Sequence, residues 1–164
     1  MTEGVRLREM IEADWPAVAA IWAEGIATGN ATFETEPPSW AAFDATRRKE
    51  GRFVAVTERG GAVVGWAALS PVSSRPCYAG VAENSVYVAA SARGEGVGTA
   101  LMEALAAAAA AAGIWTIQTS VFPENTASIA LHERAGFRIV GRRERIAELD
   151  GVWRDTLFLE LRLP

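Results

Sequence analysis

Cysteine and long apolar runs are scarce in this sequence. The only cysteine, Cys77, excludes an internal disulfide, so the core has to stabilise the fold and a reducing cytoplasm is the expected setting. Hydrophobic residues make up 50% of the chain, but its longest apolar stretch, 101–114, is mostly alanine and contains Glu103. Charged residues such as Arg8 and Glu9 stand where a signal peptide needs an apolar block. We therefore expect a cytosolic protein without a membrane span.

An excess of positive charge is also lacking. Sixteen basic and 20 acidic residues give a net charge of −4, which provides no overall field to attract nucleic acid. Arg142, Arg143 and Arg145 lie close together, but Glu144 and Glu148 alternate with them, as is typical of a solvated strand edge or hairpin. No Cys/His cluster suits a metal. We therefore expect neither a nucleic-acid partner nor a metal.

Strands and helices alternate along the chain. Asp14 and Ser39 have the residue types and positions of helix N-caps, and strand patterns recur between glycine- and proline-rich turns. The predicted strands cover residues 5–8, 53–56, 62–69, 85–88, 115–121, 139–149 and 153–161, and the predicted helices cover about 15–28, 40–50, 99–112 and 125–135. We expect one domain over residues 1–164, with an α/β or α+β sheet covered by helices.

A glycine-rich segment, Arg93-Gly94-Glu95-Gly96-Val97-Gly98-Thr99, connects a predicted strand to an alanine-rich helix. Unpaired N–H groups and the helix dipole at such a place favour an anion, and Arg93 adds a positive charge. The dinucleotide pattern G-x-G-x-x-G fails at Thr99, and a Walker A loop is excluded because the segment has no lysine. A flexible turn is the ordinary alternative. The pattern favours a diphosphate site formed by residues 93–99.

Two motifs resemble a known superfamily. Arg93-x-x-Gly96-x-Gly98 is similar to the R/Q-x-x-G-x-G/A signature of the GNAT acetyltransferases, and residues 125–137 resemble their N-x-x-S/A-x-x-L-Y-x-x-x-G-F segment. Segments 30–37, 83–88, 128–132 and 151–155 together resemble phosphinothricin and methionine sulfoximine N-acetyltransferases. The resemblance implies the GNAT fold, an α/β (α+β) architecture with a mixed sheet of about seven strands flanked by helices on both faces, and acetyl-CoA as cosubstrate.

The resemblance also implies where the cosubstrate binds. Backbone groups of Val86 and Val88 would pair with the pantetheine amides, and the Val88 N–H would polarise the thioester carbonyl. Asn125 and Ser128 would contact the pantetheine and diphosphate, although Asn125 could equally be only an N-cap. The expected cofactor-binding residues are Val86, Tyr87, Val88, Arg93, Gly94, Glu95, Gly96, Val97, Gly98, Thr99, Asn125 and Ser128.

Two residues are candidates for proton transfer. The strand period places Glu83, Ser85 and Tyr87 on one face, and Glu83 is the candidate base that takes a proton from the attacking amine. His132 occupies the position where many GNAT members have a tyrosine that protonates the leaving thiolate, and an imidazole can perform that step. A solvated glutamate and a packed histidine without a role are the ordinary alternatives.

The relatives that the chain resembles acetylate the α-amino group of amino acids with a tetrahedral side-chain group, so the substrate would carry a carboxylate. Arg75 could bind that carboxylate, with Phe33 and Tyr78 forming an apolar slot. The expected substrate-binding residues are Phe33, Glu34, Arg75, Pro76, Cys77, Tyr78, Glu83, Asn84 and Ser85. Direct transfer in a ternary complex is expected, because a covalent route through Cys77 would need a neighbouring base, and no histidine is near it in sequence.

Several alternatives stay open at this point. The acceptor could be another amino acid, a polyamine or a protein N-terminus, and a non-catalytic acetyl-CoA sensor would carry the same glycine loop. The resemblance implies a homodimer, in which some of the six tryptophans would make dimer contacts while the others pack in the core. Detoxification is the task that the resemblance implies, but the sequence does not identify the physiological acceptor.

Overall fold

The computed structural model describes residues 4–164, so residues 1–3 of the expected domain lie outside the described part of the chain. Seven strands form one sheet in the order β1-β2-β3-β4-β5-β7-β6. The strands are β1 Val5–Glu9, β2 Phe53–Thr57, β3 Val63–Pro71, β4 Val81–Val88, β5 Thr116–Val121, β6 Arg138–Leu149 and β7 Val152–Arg162, and the helices are α1 Trp15–Ala27, α2 Trp40–Thr46, α3 Val97–Ala111 and α4 Thr126–Arg134.

The sheet is mixed. Strands β4 and β5 pair in parallel, and all other neighbours pair antiparallel. The C-terminal hairpin turns at Asp150-Gly151 and inserts β7 between β5 and the edge strand β6. A parallel pair needs a crossover connection, and α3 provides it between β4 and β5. The expected sheet of about seven strands with helices on both faces is confirmed.

Two hydrophobic clusters cover the two faces of the sheet. On one face α3 packs against the central strands through Leu101, Met102 and Leu105, all of which are buried. On the other face an aromatic cluster joins α1 and α2 to β3 through Trp22, Phe43 and Trp66, which are buried as well. Burial of large apolar side chains on both faces is the main favourable contribution to folding.

Helix α1 begins where the sequence predicts, but Asp14 does not cap it through its side chain. Instead the Asp14 carboxylate accepts two hydrogen bonds from the Arg8 guanidinium, at 2.7 and 2.8 Å, and one from the Ile11 N–H at 2.9 Å. The hydrogen bonds from Arg8 lower the pKa of Asp14. The cap prediction is therefore wrong at this helix, because a charged tertiary partner competes for the same oxygens.

Helix α2 is shorter than predicted. The Ser39 hydroxyl caps it by accepting the Ala42 N–H at 3.2 Å, as expected, but the helix ends at Thr46 rather than near residue 50. Arg47 is extended, with φ −107° and ψ 143°, and the Arg48 N–H donates to the Leu69 carbonyl on β3 at 2.8 Å. This tertiary hydrogen bond takes the chain out of the helix early.

Within residues 4–164, none of the helices combines the length and the apolar character that crossing a bilayer requires.

Candidate active site

The sheet splits between β4 and β5. These strands pair only from Val81 to Glu83, opposite Thr116 to Gln118. Beyond that point β4 stays paired with β3 up to Val88, and β5 stays paired with β7 up to Val121. Since each strand follows its other neighbour, the two diverge and open a cleft of about 910 Å³, within the usual range of ligand sites.

The open edge of β4 presents backbone N–H groups to this cleft. The Ala89 N–H donates to the Val64 carbonyl on β3 at 2.8 Å. Successive N–H groups of a strand point to opposite edges, so those of Val86 and Val88 point away from β3 and toward the cleft. Both residues line it. They can pair with the amides of an extended ligand, as the sequence analysis expects of them.

The glycine segment lies at one end of the cleft. Gly96 caps α3 with φ +82°, and Gly94 has φ +77°; L side chains rarely adopt this conformation. A Cβ at either position would meet no described atom within 4 Å, so the backbone is open to a ligand. The segment residues that line the cleft are Arg93, Gly94, Gly96, Val97, Gly98 and Thr99, whereas Glu95 is exposed outside the lining.

This geometry fits a diphosphate group. The first N–H groups of α3 have no partner within the helix and carry the positive end of its dipole. The helix has 15 residues, and the exposed guanidinium of Arg93 lies beside its start. Arg93 and the first turn of α3 are thus the groups that would hold the diphosphate of a coenzyme.

Asn125 and Ser128 line the cleft at the start of α4. The Asn125 Oδ1 accepts the Ser128 N–H at 3.2 Å, and its Nδ2 donates to the Asn30 carbonyl at 3.0 Å. Asn125 is therefore an N-cap that also holds the loop after α1. Its side chain already has partners within the protein, which leaves less capacity for the cofactor contact that the resemblance implies.

His132 lies one turn further along α4 and is only 5% exposed. Its Nδ1 is 2.7 Å from the Ser128 carbonyl, which can only accept, so Nδ1 carries the proton. Its Nε2 then accepts from Asn84 Nδ2 at 3.0 Å. Burial lowers the pKa of His132, and the hydrogen bond to the Ser128 carbonyl offsets this only in part. At neutral pH the imidazole is uncharged, and its Nε2 faces a donor.

Glu83 lies where the two strands separate. It lines the cleft and is exposed to solvent there. Desolvation raises the pKa of Glu83, while the charge of Arg47, a hydrogen bond with Gln118 and the charge of Arg143 offset part of the effect. A raised pKa keeps a carboxylate basic enough to accept a proton from an ammonium group.

Tyr87 shares the Glu83 face of β4, as predicted from the strand period. Its ring stacks on Trp66 with 5.0 Å between centroids and 8° between planes, and it lies 5.7 Å from Trp22. Burial raises the pKa of Tyr87 to about 12. The opposite face carries Asn84, which reaches His132 and, at 3.6 Å, the Met102 sulfur of α3. The cleft therefore connects the two faces of the sheet.

The predicted substrate-binding residues separate into two groups. Those on the loop after α1 and on β4 line the cleft, namely Phe33, Glu34, Glu83, Asn84 and Ser85. The others form a 3₁₀ turn with its preceding residue, are exposed and lie outside the cleft lining, namely Arg75, Pro76, Cys77 and Tyr78. The Arg75 guanidinium lies 5.6 Å from the Tyr78 ring. The structure does not bring this turn to the cleft.

The second wall of the cleft, and the contacts that attach it, do not follow from the sequence. Phe122, at the end of β5, meets the Phe33 ring edge-on with 4.8 Å between centroids. Arg154 of β7 lies 4.0 Å over Phe122 and donates to the Gly29 carbonyl and to Asn30 Oδ1. A lone arginine within a predicted strand is the only sequence signal for this contact, and it does not identify the loop that Arg154 holds.

Comparison with known proteins gives consistent findings. The family model described as the acetyltransferase (GNAT) family matches residues 7–137. The chain is 31% identical over 161 residues to an L-methionine sulfoximine/L-methionine sulfone acetyltransferase of Pseudomonas paraeruginosa, covering 96% of this chain and 94% of that protein. It is 34% identical to a phosphinothricin N-acetyltransferase of Alcaligenes faecalis, covering 94% and 80%.

A solved structure is also similar over almost the whole chain. It is a GNAT superfamily phosphinothricin acetyltransferase from Sinorhizobium meliloti in complex with AcCoA, with a TM-score of 0.86, 32% identity, and coverage of 97% of this chain and 88% of that one.

Proposed function

The chain belongs to the acetyltransferase (GNAT) family and is an acyltransferase that uses acetyl-CoA, and from this premise we propose that it acetylates the α-amino group of a small amino-acid-like acceptor by direct transfer in a ternary complex. The proposed acceptors are phosphinothricin, methionine sulfoximine and methionine sulfone, after which relatives at 31% and 34% identity are named. Acetylation would neutralise the amino group of such compounds, which is the chemistry of a detoxifying enzyme.

One observation carries the proposal: the cleft passes through the sheet where β4 and β5 separate. The α3 terminus and the open edge of β4 lie along it, so the acetyl donor can bind from the α3 side. Glu83 lies on the other face of β4, where an amine can approach the same gap. Reactants that enter from opposite faces can react directly, with the gain in effective concentration that a ternary complex provides.

The residues of the chain have distinct proposed tasks in this reaction. Acetyl-CoA supplies an activated acyl group as a thioester. Glu83 takes a proton from the ammonium form of the acceptor, and the Val88 N–H, directed to the open edge, hydrogen-bonds the carbonyl oxygen where negative charge develops. Arg93 and the first turn of α3 anchor the donor. Cys77 is exposed outside the cleft lining, which favours direct transfer over a covalent route.

His132 is the proposed acid that protonates the leaving thiolate. A neutral ring that donates through Nδ1 and accepts at Nε2 has no proton to give toward the cleft. His132 can act as the acid only after its ring is protonated and Asn84 has turned its amide. In the neutral form it positions Asn84.

Glu83→Gln is the variant that tests the mechanism. We expect kcat with methionine sulfoximine to fall about 10²- to 10⁴-fold, the usual contribution of a general base, while calorimetry shows unchanged acetyl-CoA binding. In the wild type, kcat/KM should rise with pH as Glu83 ionises, at a pH above the ordinary glutamate value because its pKa is raised. The variant should lack this inflection.

Glu103→Gln, on the exposed side of α3, is the matched control and should retain full activity. A Glu83→Gln variant as fast as the wild type would remove Glu83 from the mechanism. If the wild type acetylates polyamines but none of the three amino-acid analogues in a thiol-release assay, the acceptor class is wrong. A wild type that binds acetyl-CoA and acetylates no amine at all would instead be a sensor.

We also propose that the protein is a cytoplasmic homodimer. Exposed apolar side chains concentrate on the β6–β7 hairpin, where Ile146, Val152 and Trp153 are 47%, 59% and 51% exposed. A second copy that covers this surface would remove it from water.

The cytoplasmic location is supported by the exposed free thiol of Cys77, which is stable in a reducing compartment.

A further inference from the structure

Arg47 lies at the end of α2. It is not one of the residues that line the cleft, but it interacts electrostatically with Glu34 and Glu83, which do. The early end of α2 leaves Arg47 extended, and the following residue, Arg48, is hydrogen-bonded to Leu69 of β3. In the sheet Leu69 pairs with Asn84, and the next residue, Ser70, pairs with Glu83. The backbone thus holds Arg47 beside the part of β4 that carries the proposed base.

The Arg47 side chain packs on the aromatic cluster. Its guanidinium lies 5.3 Å from the Phe43 ring centroid and 5.8 Å from that of Trp22. Trp22 in turn lies 5.7 Å from Tyr87, which lines the cleft. Stacking on aromatic faces orients a guanidinium without using its N–H donors. The aromatic rings therefore fix the plane of the Arg47 guanidinium.

The donors of Arg47 are largely unused. Nη1 donates to the Thr46 hydroxyl at 2.9 Å, but Nε is buried and has no hydrogen-bond partner within residues 4–164. Other arginines with low exposure, Arg8, Arg48, Arg52 and Arg154, each form an ion pair with a carboxylate. No such ion pair is found for Arg47 in the described part of the chain. A half-buried guanidinium with a free N–H donor can bind an anion.

The charges around Arg47 indicate which anion fits. Glu34 and Glu83, both lining the cleft, are close enough to interact electrostatically with Arg47. Burial lowers the pKa of Arg47, but a guanidinium stays charged at every pH at which proteins fold. Glu83 and Arg47 thus provide a carboxylate base and a cation that interact electrostatically. An α-amino acid carries the complementary pair, an ammonium group and a carboxylate two bonds apart.

We propose that Arg47 binds the carboxylate of the acceptor and so directs its α-amino group to Glu83. This assignment rests on the proposed function, because it requires an amino-acid acceptor. This role replaces the one expected for Arg75 from the sequence. Both arginines lie outside the cleft lining, but Arg75 is exposed, whereas Arg47 is half-buried and interacts electrostatically with Glu83. Arg143 also interacts electrostatically with Glu83, but its side chain is exposed over Phe158. Arg154 is already bound to Gly29, Asn30 and Glu124.

Arg47→Gln tests the assignment with two acceptors that differ only in the carboxylate, methionine sulfone and its α-carboxamide. We expect the wild type to prefer the acid, and the variant to raise the KM for the acid roughly 10- to 100-fold, as the loss of a charged hydrogen-bonding partner does. The kcat/KM for the carboxamide and the KM for acetyl-CoA should change by less than about threefold. Arg47→Lys should recover part of the preference, because it keeps the charge and loses the planar fork.

Arg6→Gln, on the exposed side of β1, is the matched charge control and should behave like the wild type. Thermal unfolding and acetyl-CoA calorimetry check that Arg47→Gln remains folded; if it does not, Arg47→Lys carries the same comparison of acid and carboxamide. The assignment is overturned if the variant slows both acceptors equally, or if Arg75→Gln produces the selective loss instead. If the wild type acetylates no amino acid, both the proposed function and the assignment of Arg47 are overturned. If Arg47→Gln keeps the wild-type preference for the acid over the carboxamide, only the assignment of Arg47 is overturned.

Discussion

At the scale of single residues, His132 shows how burial decides a chemical role. The resemblance to GNAT members places a histidine at the position of a proposed catalytic acid, and its ordinary pKa would suit proton transfer. In the structure both ring nitrogens are engaged, with the Ser128 carbonyl and the Asn84 amide, and burial lowers the pKa of the ring. The local motif predicts where His132 lies, but only its surroundings determine its protonation state.

The chain has a single histidine, so His132 can be titrated without ambiguity by NMR of the imidazole nitrogens. We expect the neutral Nδ1–H tautomer at pH 7 and a pKa below the ordinary value of about 6.5. The unfolded chain then binds a proton at His132 more readily than the folded chain does. The free energy of unfolding should therefore fall as the pH drops below about 6.5, and it should stop falling below the folded-state pKa of His132.

His132→Gln is the control for that titration. Denaturant unfolding of the wild type and of the variant is measured between pH 5 and pH 7.5. The difference between their free energies of unfolding should change with pH because of His132, since Glu83 titrates in both proteins. A wild-type imidazole that is half protonated at pH 7 or above would contradict the geometry described here.

At the scale of elements, the turn into α3 is the feature that sequence and structure describe in the same way. A strand, a glycine segment and an alanine-rich helix follow one another in the sequence, and the structure places β4, residues 93–96 and α3 in that order. The positive φ of Gly96 is a local requirement that a glycine meets without strain. Such short-range features can be predicted because they depend on neighbouring residues.

Gly96→Ala tests whether this turn binds acetyl-CoA. The new methyl group would keep a left-handed residue at a cost of about 1 kcal/mol and would project where the diphosphate is proposed to bind. We expect calorimetry to show a loss of acetyl-CoA affinity of about tenfold or more. Gly113→Ala, at the other end of α3, has φ +83° and equally open space. Gly113→Ala should lower the free energy of unfolding by a similar amount and leave the acetyl-CoA affinity unchanged. Equal acetyl-CoA affinities in the two variants would contradict the proposed diphosphate site at Gly96.

At the scale of the whole molecule, the exposed apolar surface of the β6–β7 hairpin requires explanation. The strand β6 lies at the edge of the sheet and is exposed over most of its length. Of the six tryptophans, Trp22 and Trp66 are buried in the aromatic cluster, whereas Trp153 is 51% exposed on β7. An edge strand with apolar side chains is a surface on which a second copy can pair or pack.

Trp153→Lys should convert the proposed dimer into a monomer, because it places a charge in the centre of the apolar surface. Sedimentation equilibrium at micromolar protein is the direct measurement. Ile11→Lys is the matched control, since Ile11 is 56% exposed and follows β1 at the opposite edge of the sheet. A wild type that sediments as a monomer at every concentration would exclude the dimer.

The sequence alone determined the local framework of this protein. The alternation of β4, the glycine turn before α3 and the capped helix α4 follow from periodicity and from backbone conformations that particular residues prefer. The family and its cosubstrate followed from the resemblance of motifs in these segments to known acetyltransferases. The tertiary structure decided the separation of β4 from β5, the partners of Asp14 and His132, and the position of Arg47 beside Glu83. These contacts join residues far apart in the chain, and their free energies depend on burial and on competing partners, which no local pattern specifies.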